Sequence, residues 1–230
     1  MKRRIGLAVL VTLAVAASLG VTATGRTLAD FARVLESIPI VQRDRVLAAV
    51  SLSLAGEGFP ESEMYGLLER LAATPGAAAE KETIVLVLAY ALEQGIPIDG
   101  LLSKASEGLA RGVQLGPLGQ LLDQRLRLLV ETRDLFYAKG VFRAAPGTAT
   151  TSPTTLPAER FDALLTQVGD ALGDYLESGG SPFNGELIHR EVENRLTKLR
   201  GGVLPASDVD LILPRIGADD LTRIVQTALG

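Results

Sequence analysis

From residue 27 onward apolar side chains return every third or fourth position, the rhythm of helices that each bury one face. Thr27-Leu28-Ala29-Asp30 predicts the cap of a first helix reaching about Ile38, with Leu28, Phe31 and Leu35 on one face and Pro39 as its stop. A second helix is expected from about Val41 to Glu57. A third follows Pro60, where Met64, Leu67, Leu68 and Leu71 share a side, and Thr74-Pro75-Gly76 ends it.

The run Ile84 to Leu92 is apolar all round, so its neighbours must cover every side of it. Ile84, Val85 and Val87 also suit a buried strand. The flanks Glu80-Lys81-Glu82 and Glu93-Gln94 favour a central core helix instead. Leu115 to Phe136 is the clearest amphipathic segment, with Leu118, Leu122, Leu126 and Leu129 in one stripe, widened by Leu121 and Leu128. Gln120, Asp123, Gln124, Arg127, Glu131 and Asp134 lie opposite.

Ala144 to Ala158 breaks the rhythm. Three prolines and five threonines with little apolar bulk read as a semi-extended linker. Beyond it, helices are expected at about Ala158 to Glu177, Gly185 to Leu199, Ser207 to Leu213 and Ala218 to Leu229, with Ser207 and Asp219 as N-caps. The chain thus divides into 24–143 and 159–230, two helical units on either side of a 144–158 linker.

An internal echo runs through both units. Leu92-Glu93-Gln94-Gly95-Ile96-Pro97 is matched by Leu176-Glu177-Ser178-Gly179-Gly180-Ser181-Pro182, and each is followed by a helix and a Gly-Val step, Gly112-Val113 or Gly202-Val203. A fainter copy starts at Gly58-Phe59-Pro60. Glycine closes a helix in the left-handed conformation and the proline beyond stops its continuation. The expected fold class is all-α: helical hairpins packed into a bundle or short solenoid.

Residues 1–23 have the layout of an export signal: basic Lys2-Arg3-Arg4, an apolar stretch from Ile5 to Val21, and a small-residue exit at Val21-Thr22-Ala23. An uncleaved inner-membrane anchor is the alternative, although a span takes roughly 20 apolar residues. The expected location is outside the cytoplasm, periplasmic or secreted, with membrane contact only through this segment if it is uncleaved. Its removal takes away three positive charges and moves the formal net charge from −4 to −7. An acidic chain has no general attraction for phosphate backbones, so no nucleic acid is expected as partner. With no cysteine, neither disulfides nor a lipoprotein thiol exists, and apolar burial must hold the fold.

Gly95-Ile96-Pro97, Leu101-Leu102-Ser103-Lys104 and Glu107-Gly108-Leu109-Ala110-Arg111-Gly112-Val113 together resemble a pattern in uncharacterised exported bacterial proteins. That resemblance implies a bacterial envelope context. It brings no activity with it.

The residue types that carry chemistry do not assemble into a known motif. His189 is the single histidine; Glu186-x-x-His189 with Glu193 has the spacing of half a di-iron site, which needs a second such element. Ser103-Lys104 and Ser106-Glu107 are adjacent on a helix and point about 100° apart. The carboxylate pairs Glu61/Glu63, Glu191/Glu193, Asp208/Asp210 and Asp219/Asp220 sit near helix starts, where negative charge suits the helix dipole. Asp208-Val209-Asp210 lacks the glycine and later glutamate of a calcium loop. No catalytic, cofactor-binding or metal-ligating residue is therefore assigned, and no cofactor is expected. The expectation is a non-enzymatic envelope protein that binds another protein or assists assembly. A carrier of lipid or another apolar ligand, with the Ile84–Leu92 helix lining its cavity, is the first alternative; a carboxylate-based hydrolase, testable at Glu191 and Glu193, is the second.

Overall fold

A computed structural model describes residues 25–56, 58–145, 152–199 and 204–230. The expected export signal and the centre of the Thr/Pro linker, 146–151, lie outside the described residues, as does the Gly202-Val203 step. The described chain is all-α, with ten α-helices and one two-residue strand pair. In order they are α1 (Leu28–Glu36), α2 (Arg43–Leu54), α3 (Glu61–Ala73), α4 (Ala78–Glu93), α5 (Asp99–Ala110), α6 (Leu115–Ala138), β1 (Phe142–Arg143), β2 (Thr155–Leu156), α7 (Ala158–Glu177), α8 (Gly185–Leu199), α9 (Ala206–Ile212) and α10 (Ala218–Leu229). A single 3-10 turn, Leu213–Arg215, joins α9 to α10.

The first helix starts as its sequence dictates. Thr27 Oγ1 accepts from the Asp30 N–H, and the Asp30 carboxylate accepts from the Thr27 N–H at 2.9 Å, a reciprocal capping box. Its buried residues are Phe31, Val34 and Leu35, whereas Leu28 stands 39 % exposed. The second helix is shorter than expected, Arg43 to Leu54 rather than Val41 to Glu57. Val41 and Gln42 donate their backbone N–H groups to Glu82 Oε1 on α4, each at 2.9 Å, and so lie outside the helix. In α3 the four periodic residues Met64, Leu67, Leu68 and Leu71 are all fully buried.

The apolar run is a helix, α4, and it packs on α2, α5 and α6. Ile84, Val85 and Leu88 are buried completely among those neighbours. Lys81 is buried near its start and donates from Nζ to the Ala72 carbonyl at 3.1 Å, at the carboxyl end of α3. An ammonium suits that end of a helix, where unpaired carbonyls and the negative dipole lie.

Helix α6 is the spine: α4, α5, α7 and α10 all pack against it. Leu118, Leu122, Leu126 and Leu129 are buried as their spacing requires. The two helical units therefore dock on each other, α6 against α7 and α10, within one continuous hydrophobic core. Phe136 meets Phe161 edge-on with centroids 5.8 Å apart across that contact. The ends of the linker are tied down as well. β1 and β2 pair in parallel, Phe142 opposite Thr155, and Ala144 N–H donates to the Leu156 carbonyl at 2.8 Å.

Both echoed turns have the same backbone. Gly95 and Gly179 take positive φ, 63° and 82°, beyond α4 and α7. In each, a second N–H reaches back to close the helix: Ile96 to the Ala91 carbonyl and Gly180 to the Tyr175 carbonyl, both at 2.9 Å. Two expected caps are displaced. Ser207 lies inside α9, which begins after Pro205, so its hydroxyl caps nothing. At α10 the capping acid is Asp220, whose carboxylate accepts from the Gly217 N–H at 3.1 Å, because the helix starts at Ala218, two residues earlier than Asp219 as a cap would require.

Candidate functional site

Where α5, α7 and α8 approach one another over α6, they enclose a polar cleft of about 600 Å³. Asp99, Ser103, Lys104 and Glu107 come from α5; Gln167, Asp170 and Asp174 from α7; Arg195 and Lys198 from α8. Arg125, from the middle of α6, forms its floor and is only 6 % exposed.

The acids of α7 are set one helical turn apart, at 170, 174 and 177, so all three face the same way. Arg125 meets each of them. Its Nε and Nη2 donate to Glu177 Oε1 at 2.9 and 2.6 Å, Nη2 also to Asp174 at 3.1 Å, and Nη1 to Asp170 at 3.1 Å. A guanidinium is suited to this because its planar fork carries five donors. The lattice continues outward. Arg195 bridges Asp174 at 2.8 Å and Glu191 at 2.9 Å; Lys104 reaches Glu177 at 3.2 Å and Glu107 at 3.8 Å; Arg111 holds Glu107 at 2.8 Å.

Room for the arginine comes from glycine. A Cβ on Gly173 would stand 3.0 Å from Arg125 Cζ, and one on Gly169 would meet Leu129 Cδ2 at 2.5 Å. The pair, one turn apart, lets α6 and α7 come close enough for the guanidinium to lie over the α7 backbone.

Burial opposes the charge on Arg125, but Glu177, Asp174 and Asp170 overcome it and hold the guanidinium above its ordinary pKa. Asp170 moves the other way for a carboxylate. Burial raises it, Arg125 opposes the rise and the Asp174 charge reinforces it, with a net upward shift. Half of the Asp170 side chain is still open to solvent, so that shift tempers the strength of its pair with Arg125.

Among the described residues, the ion pairs that join residues 25–143 to residues 158–230 share one polarity. Lys104, Arg125, Lys139 and Arg143 supply the bases; Asp162, Asp170, Asp174, Glu177 and Asp220 supply the acids. Lys139–Asp220 is 2.9 Å and Arg143–Asp162 is 2.7 Å. Arg215 Nη1 adds a bond to the Lys139 carbonyl at 3.0 Å.

The residues weighed for chemistry do not gather here. Glu186 and Glu193 are exposed on α8 and His189 is half-buried beside them; among the described residues no group of three His, Cys, Asp or Glu is placed to hold a metal ion. Ser103 lies on the cleft wall while Lys104 turns to Glu177, and Ser106 accepts from Arg70 Nη2 at 2.7 Å. Glu191 pairs with Arg195 and Glu193 faces solvent, as positions two apart on a helix must diverge. Glu61 accepts from the Arg26 N–H at 2.8 Å, and Glu63 is exposed. Asp208 is 4 % exposed, with Arg160 Nε 4.0 Å away, while Asp210 is exposed. Asp219 is exposed and Asp220 is engaged with Lys139.

Arg125 and the α7 acids went unassigned in the sequence, yet a signal was there. Position 125 is seven residues from Leu118 and four from Leu129, squarely on the apolar stripe. A charge on a buried stripe needs partners, and Asp170, Asp174 and Glu177 form the one-sided acidic row that supplies them.

A scan against protein-family models gave no match, and searches of curated proteins and of solved structures found no similar protein.

Proposed function

We propose that this chain is an exported, cell-envelope helical protein that acts as a non-enzymatic interaction or assembly factor, with another envelope protein as its partner. The observation that carries the reading is how the side chains are spent. Arg125, Lys104 and Arg195 are spent on Asp170, Asp174, Glu177, Glu107 and Glu191 and fasten helices together, while large apolar side chains are left outside. Val41 is 88 % exposed just before α2, and Leu52 is 75 % exposed on its outer surface, one turn beyond exposed Ala48. An apolar helix face left open is what helix-on-helix recognition uses. A lipid-carrier reading would need a cavity along α4, where α2, α5 and α6 pack instead.

No helix among the described residues is long and apolar enough to cross a membrane. The test compares the wild-type chain with Leu52→Lys in crosslinking pull-downs from envelope extract at several salt concentrations. One reproducible partner that is kept at high salt and lost with Leu52→Lys supports the reading. No reproducible partner, or the same partner with both chains, overturns it.

A further inference from the structure

The chain holds only two asparagines, Asn184 and Asn194, and their settings could hardly differ more. Asn194 lies inside α8 and is followed by Arg195. Asn184 stands on the exposed turn between α7 and α8 and is followed by Gly185. The geometry points to Asn184 as a site of spontaneous covalent modification, deamidation through a succinimide formed with Gly185.

Each residue of this pair is required by the fold for a separate reason. Asn184 Oδ1 accepts from the Leu187 N–H at 3.2 Å and so caps α8. Gly185 is where α8 begins against α10: a Cβ there would lie 2.6 Å from Thr222 Oγ1 and 3.1 Å from the Ala218 carbonyl. Any larger residue at 185 would have to displace Thr222 Oγ1 and crowd the Ala218 carbonyl. The packing that demands glycine also removes the side chain that normally shields the following backbone nitrogen from the asparagine amide.

The reaction has what it needs at this turn. As the first residue of α8, Gly185 has no intrahelical acceptor for its N–H, and among the described residues that group makes no hydrogen bond. Its nitrogen attacks Asn184 Cγ and a five-membered imide closes. The side-chain nitrogen leaves as ammonia, taking the proton from Gly185. Oxygen charge develops on Oδ1 during the attack, where the Leu187 N–H and the positive end of α8 already stabilise it. Water then opens either imide carbonyl, leaving aspartate or isoaspartate at position 184.

The two products differ for the molecule. Aspartate keeps the cap and adds a negative charge at the favourable end of α8. Isoaspartate inserts an extra backbone carbon at the cap, loosening the start of the helix that carries Arg195 to the cleft and shifting Phe183, which is 78 % exposed one residue earlier.

The test incubates the folded, full-length exported protein at neutral pH and body temperature and follows both asparagines by peptide mass mapping, with fragmentation that separates aspartate from isoaspartate. A synthetic peptide spanning Ser181 to Arg190 is incubated alongside. The expected result is conversion at Asn184 within a few-fold of the peptide's rate, Asn194 unchanged in the same samples, and complete loss of the mass change at 184 in Asn184→Ser, which retains a capping oxygen. Asn184 intact in the folded protein while the peptide converts overturns the proposal, since the cap would then protect the amide. Equal conversion at Asn194 overturns it too, because local structure would not be directing the reaction.

Discussion

The two flanks of α6 solve the same packing problem with different materials. Toward α4 the contact is apolar, with Ile84, Val85 and Leu88 against the leucine stripe and Gly119 bringing the helices close enough that a Cβ there would lie 3.2 Å from Thr83 Cγ2. Toward α7 the contact is apolar only in part. Phe161, Leu165, Val168 and Leu172 are buried, but the edge of the interface is closed by Arg125 and three carboxylates. Hydrophobic contact fixes that helices meet, being non-directional. A guanidinium fork opposite an acid row adds a preferred register, because sliding α7 by one turn would carry one of the three carboxylates out of reach of Arg125.

This contrast predicts unequal losses. Leu122→Ala, at a fully buried position of the α6 leucine stripe, should cost about 2–5 kcal/mol, the range for a leucine removed from a core that relaxes only partly. Chemical denaturation measures it as a lower midpoint with an unchanged slope. Arg125→Met keeps most of the buried aliphatic volume and removes the charge. Its carboxylate partners keep between a third and a half of their side-chain surface in water, so they can turn outward. The expected loss is about 1–3 kcal/mol, below the 3–5 typical of stranding a wholly buried charge. A larger loss for Arg125→Met than for Leu122→Ala would mean that the polar edge, not the leucine stripe, dominates the docking of α7.

Gly173→Ala sharpens the same contrast at smaller cost. Overpacking against a pinned guanidinium costs about 1–3 kcal/mol, and alanine in a helix interior returns about 0.5–1. A net loss of about 1 kcal/mol is expected in the wild-type chain. With Arg125→Ala already present, the obstruction is gone and Gly173→Ala should become stabilising by about 0.5 kcal/mol. Thermal melts of the four chains in one buffer read the reversal directly. If the sign does not change, Gly173 is glycine for some reason other than Arg125.

What was legible in the sequence follows the same division. Period and punctuation placed nearly every helix, because Leu118, Leu122 and Met64 can hide only on one face and Gly95 can close a helix where other residues strain. The start of α2 was missed because Glu82, forty positions away, claims the Val41 and Gln42 amides, a contact that periodicity does not encode. The cleft was missed for a related reason. Arg125 looks like one more polar residue unless its place on the stripe is matched with the spacing of Asp170, Asp174 and Glu177, and that match requires knowing that α6 and α7 are neighbours. Local rules give elements; pairings between distant charges wait for the topology.

The gentlest test compares two carboxylates at the junction of the halves whose environments push them in opposite directions. Asp220 is lowered from its ordinary 3.8 by the hydrogen bond from Lys139, helped by the Gly217 N–H, although burial works against it. A lowered acid contributes stability that is present above its unfolded value and lost as pH falls through the folded one. Asp220→Asn should therefore destabilise at neutral pH, by no more than about 1 kcal/mol for a pair this close to solvent. The difference from wild type should fade below pH 3.8. Asp170 is raised, chiefly by burial, so its ionisation opposes folding and the cost appears as pH rises through its folded value. Asp170→Asn should be neutral or slightly stabilising at neutral pH and should flatten the rise in stability seen on acidification toward its pKa. Midpoints of denaturation collected from pH 3 to 8 separate the two. If both asparagine variants lose stability alike at neutral pH, Asp170 is held by Arg125 more firmly than its burial opposes it, and the polar flank of α6 is a stabilising bond and not only a device for register.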